Sequence, residues 1–376
     1  MADFSKVIHY IEETLCKEFG VPGCDIRIMK AHETLLRHTF GTSDYEGKIP
    51  VSGNELYFMY SCTKVMTCTA AMQLVERGVI GLDDKVSRWL PQYADAVILE
   101  NGARTVPENE MTVRHLFTMT GGLDYDLKKE PVLRLLKETP DAGTVQIVNA
   151  FSETPLCFTP GDRFQYSLCH DVLAAVVEAA SGMKFSEYLK KNIWEPLGIV
   201  RTGFTVPDAE KFMAQFECYA PGKIREFGLR NEYKLSENYE SGGAGLISCV
   251  EDYSVFADAL ANGGVGVTGN RILSAESIDL MRSEQLSAFT KDPEFSCAAG
   301  PGYGYGLGVR TMIDRSLGQR SPIGEFGWDG AAGSYIMIDP ENKLSIFFAM
   351  HVRSWPALIG VGHAPIRDLT YEALGL

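Results

Sequence analysis

Ser61-Cys62-Thr63-Lys64 sets a hydroxyl and an amine three residues apart, at the start of an apolar run that includes Val65, Met66, Ala70, Ala71, Met72, Leu74 and Val75. If Ser61 opens a helix there, the two side chains stand one turn apart on the same face. A serine hydroxyl is a poor nucleophile until a base comes within hydrogen-bond reach. A lysine enclosed by apolar neighbours has a lowered pKa and can accept that proton. The positive end of the helix dipole also favours developing negative charge. The same residues would serve as a helix cap followed by a surface lysine. The chain holds a second such tetrapeptide, Ser181-Gly182-Met183-Lys184, where the glycine marks a turn. What singles out Ser61 is that so apolar a helix is expected to be buried, leaving Lys64 little room to reach solvent.

Two further segments offer chemistry. Phe164-Gln165-Tyr166-Ser167-Leu168 follows Pro160-Gly161-Asp162 and leads into a helix expected over 172–180. A tyrosine at a loop-to-helix junction can aim its hydroxyl into a cleft, and a nearby ammonium makes its phenolate easier to reach. By itself it reads better as an ordinary half-buried tyrosine, and His170 reads as a helix-face histidine. Gly327-Trp328-Asp329-Gly330-Ala331-Ala332-Gly333-Ser334 stands directly before a strand expected over 335–338. Glycines at a strand edge let a ligand come close. A free N–H there, such as that of Ala331, is suited to be half of an oxyanion hole. Without a ligand, the segment is a glycine-rich lead-in to a strand.

These residues need a frame. Val7, Ile8, Ile11 and Leu15 fall at helical spacing with acids opposite, a helix ending near Gly20. Residues 26–29 and 35–40 around Ala31-His32-Glu33 form a hairpin pattern, as do 335–338 and 344–350 around Asp339-Pro340-Glu341-Asn342-Lys343. A last helix is expected over 366–374. From about 64 to 200 the chain is mostly helical in pattern. Strands at both ends with helices between imply an α+β fold. In it, an antiparallel β-sheet flanked by terminal helices is built from 1–65 and 240–376. A mostly helical domain, 66–239, is inserted, and the active site lies in the cleft between them.

The chain has 376 residues, 45% apolar and 22% charged, the balance of a soluble globular protein. Lys+Arg 35 against Asp+Glu 49 gives a net charge of −14, which would repel nucleic-acid phosphates and anionic lipid. The expectation is no nucleic-acid and no membrane partner. The nine cysteines (16, 24, 62, 68, 157, 169, 218, 249 and 297) contain no CxxC pair. They read as reduced thiols, with no structural zinc or other metal site. The start of the chain has no basic and apolar leader pattern, which points to the cytoplasm.

Taken together and in order, the three segments resemble the serine β-lactamase and penicillin-binding-protein superfamily. The branch most similar holds class C β-lactamases, D-aminopeptidases, D-Ala-D-Ala carboxypeptidases, fungal acyltransferases and family VIII carboxylesterases. Thr112 to Leu123, Glu195-Pro196-Leu197-Gly198-Ile199, Gly242-Gly243-Ala244-Gly245-Leu246 and Gly304-Tyr305-Gly306-Leu307-Gly308 also match family segments, the last two as glycine-marked strands. The resemblance implies a β-lactamase/transpeptidase-like fold. It makes Ser61 the acylated nucleophile, Lys64 its proton partner and Tyr166 a general acid/base. The backbone N–H groups of Ser61 and Ala331 become the oxyanion hole. No cofactor is implied.

Two departures bear on substrate. Leu168 stands where the family's Tyr-x-Asn motif has asparagine, and Trp328-Asp329-Gly330 where it has Lys/His-Thr-Gly. Leu168, Trp328, Asp329 and Gly330 are therefore expected at the substrate. If its side chain points into the cleft, Asp329 would repel a carboxylate; if it turns away to meet an arginine, only the loss of the cation remains, for which Arg353 would partly compensate. The resulting expectation is a serine hydrolase acting through an acyl-enzyme, most simply a carboxylesterase on small esters. β-Lactamase, D-aminopeptidase or amidase, and acyltransferase activities stay open, so the substrate is a small ester, amide or lactam. A non-catalytic binding member is the rival from another class.

Overall fold

The structure is a computed structural model describing residues 2–205, 211–220, 222–289, 300–317, 320–355 and 358–376. Seven strands make the main sheet: β1 (Gly23–Lys30), β2 (Glu33–Gly41), β3 (Tyr303–Tyr305), β4 (Arg310–Met312), β5 (Phe326–Asp329), β6 (Tyr335–Asp339) and β7 (Leu344–Met350). Their order is β2-β1-β7-β6-β5-β4-β3, and every pairing is antiparallel. The first and last hairpins thus meet at β1 and β7. Ala31 and His32 turn the first hairpin with φ of 49° and 72°, a conformation costly for ordinary residues.

The alternation of β7 explains the layers. Leu344, Ile346, Phe348 and Met350 pack with the terminal helices, whereas Phe347 and Ala349 join the opposite core. The terminal helices are α1 (Ser5–His9), continued in wider turns through Tyr10–Glu18, and the last helix of the chain, Ala364–Leu374. The expectation of terminal helices accounts for one face only. The other is covered by Val250–Ala261, which buries Tyr253, Phe256, Ala257 and Leu260 there. This helix follows the inserted region in sequence yet packs on β1, β6 and β7.

Helix α2 (Thr63–Glu76) is buried continuously from Thr63 to Leu74 and packs on α3 (Cys169–Ser181). A helix apolar all round can only be stable inside a core. The stretch 66–239 is not helical throughout. Phe216–Ala220 and Lys223–Glu226 form a small sheet with Val352–Arg353, and Ile98–Glu100 pairs with Ala103–Thr105. Gly242 to Leu246 is a turn and extended lead-in rather than a strand. The strand that follows, Ile247–Ser248, pairs with Tyr57–Phe58 and so holds the chain just before Ser61.

Candidate active site

Ser61 sits in a tight turn, Tyr60–Cys62, that feeds α2, and Tyr60 holds φ of 45°. A non-glycine residue in that region marks local strain next to the hydroxyl. Lys64, one turn on, is fully buried. Its ammonium donates to Ser61 Oγ at 3.2 Å, to Tyr125 OH at 3.1 Å and to the Gly243 carbonyl at 2.7 Å. Three donors thus meet three acceptors. Tyr166 OH donates to Ser61 Oγ at 2.8 Å and accepts from Trp328 Nε1 at 3.2 Å. The rings of Tyr125, Tyr166 and Trp328 stack in series, with centroids 5.6 Å and 5.8 Å apart. Lys64 Nζ lies 4.7 Å from the Tyr166 ring centroid. Ser61, Tyr125 and Tyr166 are part-exposed, so the cluster opens to solvent on one side.

Burial drives the Lys64 pKa down to about 8, with the buried Asp171 carboxylate pulling the other way. Asp171 accepts from Tyr239 OH at 2.7 Å and Ser241 Oγ at 2.6 Å through one oxygen, while its other oxygen has no hydrogen-bond partner. That oxygen faces Gly243, where a Cβ would stand 2.4 Å from it and 3.4 Å from Lys64 Nζ. Only glycine lets the carboxylate and ammonium face each other across this gap. Burial pushes Tyr166 up, beyond what its hydrogen bonds from Trp328 and with Ser61 can offset. This corrects the expectation of an easily reached phenolate: near neutral pH Tyr166 is a phenol.

The Gly330 to Ser334 turn lies against the turn that carries Ser61. A Cβ on Gly330 would stand 2.4 Å from the Met59 carbonyl. The Ala331 N–H donates to no backbone acceptor among the described residues, which leaves it free for an oxyanion.

Three expectations about the substrate side need correction, and for Asp329 the second alternative holds. Trp328 is buried against Tyr166 and Tyr305 and offers no free apolar wall; its indole N–H holds Tyr166. Asp329, the next residue in the strand, turns to Arg310 at 2.6 Å, so its charge is already paired. Leu168 is buried as the residue before α3 and not offered to substrate, and Lys64 is met instead by Tyr125 and Gly243. Arg353 pairs with Glu232 at 2.8 Å and lies over Phe227 and Tyr60, so it does not replace the missing cation.

His170 is structural: fully buried, its pKa is driven down to about 3, and it hydrogen-bonds the Phe117 carbonyl at 3.2 Å. In the second Ser-x-x-Lys, Gly182 ends α3 in a left-handed turn and Lys184 pairs with Glu240. Sequence reasoning missed Tyr125, Gly243 and Asp171. Asp171 had a signal, an acid directly before the apolar run 172–177 of the helix. Among the described residues no group of three or more His, Cys, Asp or Glu is placed to hold a metal, and no helix is long and apolar enough to cross a membrane. The eight described cysteines are free thiols, and Cys297 lies outside the described residues.

A family model described as Beta-lactamase matches residues 11–360. The chain belongs to the beta-lactamase family. Esterase EstB of Burkholderia gladioli is 28% identical, the match covering 92% of this chain and 90% of that one. The structure of EstCE1, described as a hydrolase with promiscuous acyltransferase activity, superposes with a TM-score of 0.81 at 25% identity over 98% of both chains. A simvastatin synthase variant from Aspergillus terreus shares the fold at a TM-score of 0.81, with 22% identity, covering 98% of this chain and 95% of that one. The family expected from the Ser61, Tyr166 and Gly330 segments is therefore the family of the chain, and its fold is α+β.

Proposed function

We propose that the protein is a serine hydrolase that forms an acyl-enzyme on Ser61 and acts on small, uncharged carboxylic esters. The observation that carries this reading is the double hold on one oxygen: Ser61 Oγ lies 3.2 Å from the Lys64 amine and 2.8 Å from the Tyr166 hydroxyl. Both are within the reach that proton transfer requires. The similarity to EstB and to the hydrolase EstCE1 supports the reaction class. The preference for uncharged substrates rests on Arg310 and Arg353, which are paired with Asp329 and Glu232 and so are not offered to a substrate carboxylate.

Chemically, free-base Lys64 takes the Ser61 proton as Oγ bonds to the ester carbonyl carbon. A lysine with a pKa of about 8 supplies that base in roughly a tenth of molecules at pH 7. The carbonyl π pair moves to oxygen, where the N–H groups of Ser61 and Ala331 stabilise it. Tyr166 gives its proton to the departing alkoxide as the C–O bond breaks, and regains one from the Lys64 ammonium. Water then attacks the acyl-enzyme, the same groups run in reverse, and the acid leaves. In this reading the sheet-bearing part of the chain (1–65 and 240–376) supplies Ser61, Lys64 and the Gly330 turn. The inserted part (66–239) supplies Tyr125 and Tyr166, and the site is their junction.

A panel of p-nitrophenyl esters, nitrocefin and D-amino-acid anilides tests the substrate class, and labelling with a fluorophosphonate tests the nucleophile. The expected result is ester turnover with the adduct on Ser61 and loss of both in Ser61→Ala. Turnover of nitrocefin or the anilides in preference to every ester overturns the ester reading, and an unlabelled Ser61 overturns the mechanism.

A further inference from the structure

We infer that Ser334 is a positioning residue that clasps the two halves of the oxyanion hole together; the inference rests on the Ser61 and Ala331 reading above. The two donors come from turns far apart in the chain. An oxyanion hole works only when both N–H groups are held to within a fraction of an ångström of the developing charge. Each turn is closed on its own side. Met59 N–H donates to the Leu246 carbonyl at 2.9 Å and Cys62 N–H to the Met59 carbonyl at 3.1 Å. Gly330 N–H donates to the Ser334 carbonyl at 2.7 Å and Gly333 N–H to the Gly330 carbonyl at 2.9 Å. Neither set of bonds fixes one turn relative to the other.

The Ser334 hydroxyl does. It donates to the Met59 carbonyl at 3.0 Å, across 275 residues of sequence. Met59 is two residues before Ser61, and Ser334 three after Ala331. The bond is therefore within a few residues of both donors. Ser334 is 2% exposed, so water does not compete for the carbonyl. Gly330 makes the approach possible, since a Cβ there would stand 2.2 Å from Ser334 Oγ and 2.4 Å from the Met59 carbonyl. Cys62 also spans the gap: its Sγ lies 4.0 Å from the Trp328 carbonyl, long even for a thiol donor, and within hydrogen-bond reach of the Ser334 side chain itself.

The test compares wild type with Ser334→Ala and Ser334→Thr, using the full chain and a p-nitrophenyl ester that wild type hydrolyses. The expected result for Ser334→Ala is a fall of roughly tenfold or more in kcat with KM within about twofold. Inhibition by an arylboronic acid, whose tetrahedral anion occupies the same hole, should weaken by a similar factor. The acid limb of the pH profile should stay in place, because Ser334 does not touch Lys64. Ser334→Thr keeps the hydroxyl and should recover most of kcat. Circular dichroism and urea unfolding check that each variant is folded. Wild-type kcat and boronate affinity in a folded Ser334→Ala would overturn the inference, as would equal losses in Ala and Thr variants that are both folded. If wild type itself fails to label at Ser61, the catalytic reading has failed instead, and the two failures are distinguished.

Discussion

Arg310 Nη1 donates to Asp329 Oδ1 at 2.6 Å, immediately beside Trp328 in the strand that leads to the Gly330 turn. Successive strand residues point to opposite faces, so Trp328 reaches Tyr166 while Asp329 meets a guanidinium that lies over the Tyr335 ring at 5.1 Å. Asp329 is therefore paired within the sheet.

Substitution of Asp329 by asparagine should separate the two roles. It leaves the buried Arg310 without its countercharge, a loss of about 3 kcal/mol of stability by the usual cost of breaking a buried pair. It should barely change the preference for a neutral ester over its carboxylate-bearing partner, which we expect to be roughly tenfold in kcat/KM from the missing cation alone. Urea unfolding and a matched pair of esters, free acid and methyl ester, measure both. A preference that collapses in Asp329→Asn would return Asp329 to the cleft.

The acid limb of kcat/KM should report Lys64. In the proposed mechanism activity needs its free base, so the rate should rise with pH through an apparent pKa near 8. Asp171 favours the ammonium form, so Asp171→Asn should move this limb to lower pH. Gly243→Ala should lower kcat sharply, because its Cβ would stand 2.4 Å from the Asp171 carboxylate oxygen and displace it from its place opposite Lys64. A limb unmoved in Asp171→Asn would mean that its carboxylate does not act on Lys64.

Lys64 should also write its burial into the stability curve. Its folded pKa of about 8 lies below the ordinary 10.5. Below pH 8 both states carry the charge and the native state bears the desolvation cost. Between 8 and 10.5 the unfolded state binds the extra proton, so native stability rises with pH. Compared with Lys64→Met, wild type should gain stability on the order of 3 kcal/mol across this window. Denaturant unfolding at several pH values reads the difference, and a flat difference would contradict it.

Lys64→Ala and Tyr166→Phe should each lower kcat by several orders of magnitude, and the double variant should be little worse than either. Both groups act on one oxygen, and members of one proton-transfer unit are strongly non-additive. Additive losses in kcat would indicate two independent routes.

Local rules made part of this protein readable from its residues alone. The three-residue spacing of Ser61 and Lys64 puts them on one helix face wherever that helix lies, and period-two alternation with turn residues marks both hairpins. The ordered segments around Ser61, Tyr166 and Gly330 were enough to point to the family. The partners of those residues were decided elsewhere. Tyr125 reaches Lys64 across 61 residues, Gly243 across 179, and Ser334 reaches Met59 across 275. Whether Asp329 faces substrate or arginine depends on which strand lies beside it, and whether Tyr166 ionises depends on how much protein covers it. Helix and strand periodicities fix which side a residue faces, but hydrogen bonds and desolvation act between atoms brought together by packing. Only the tertiary structure sets those distances.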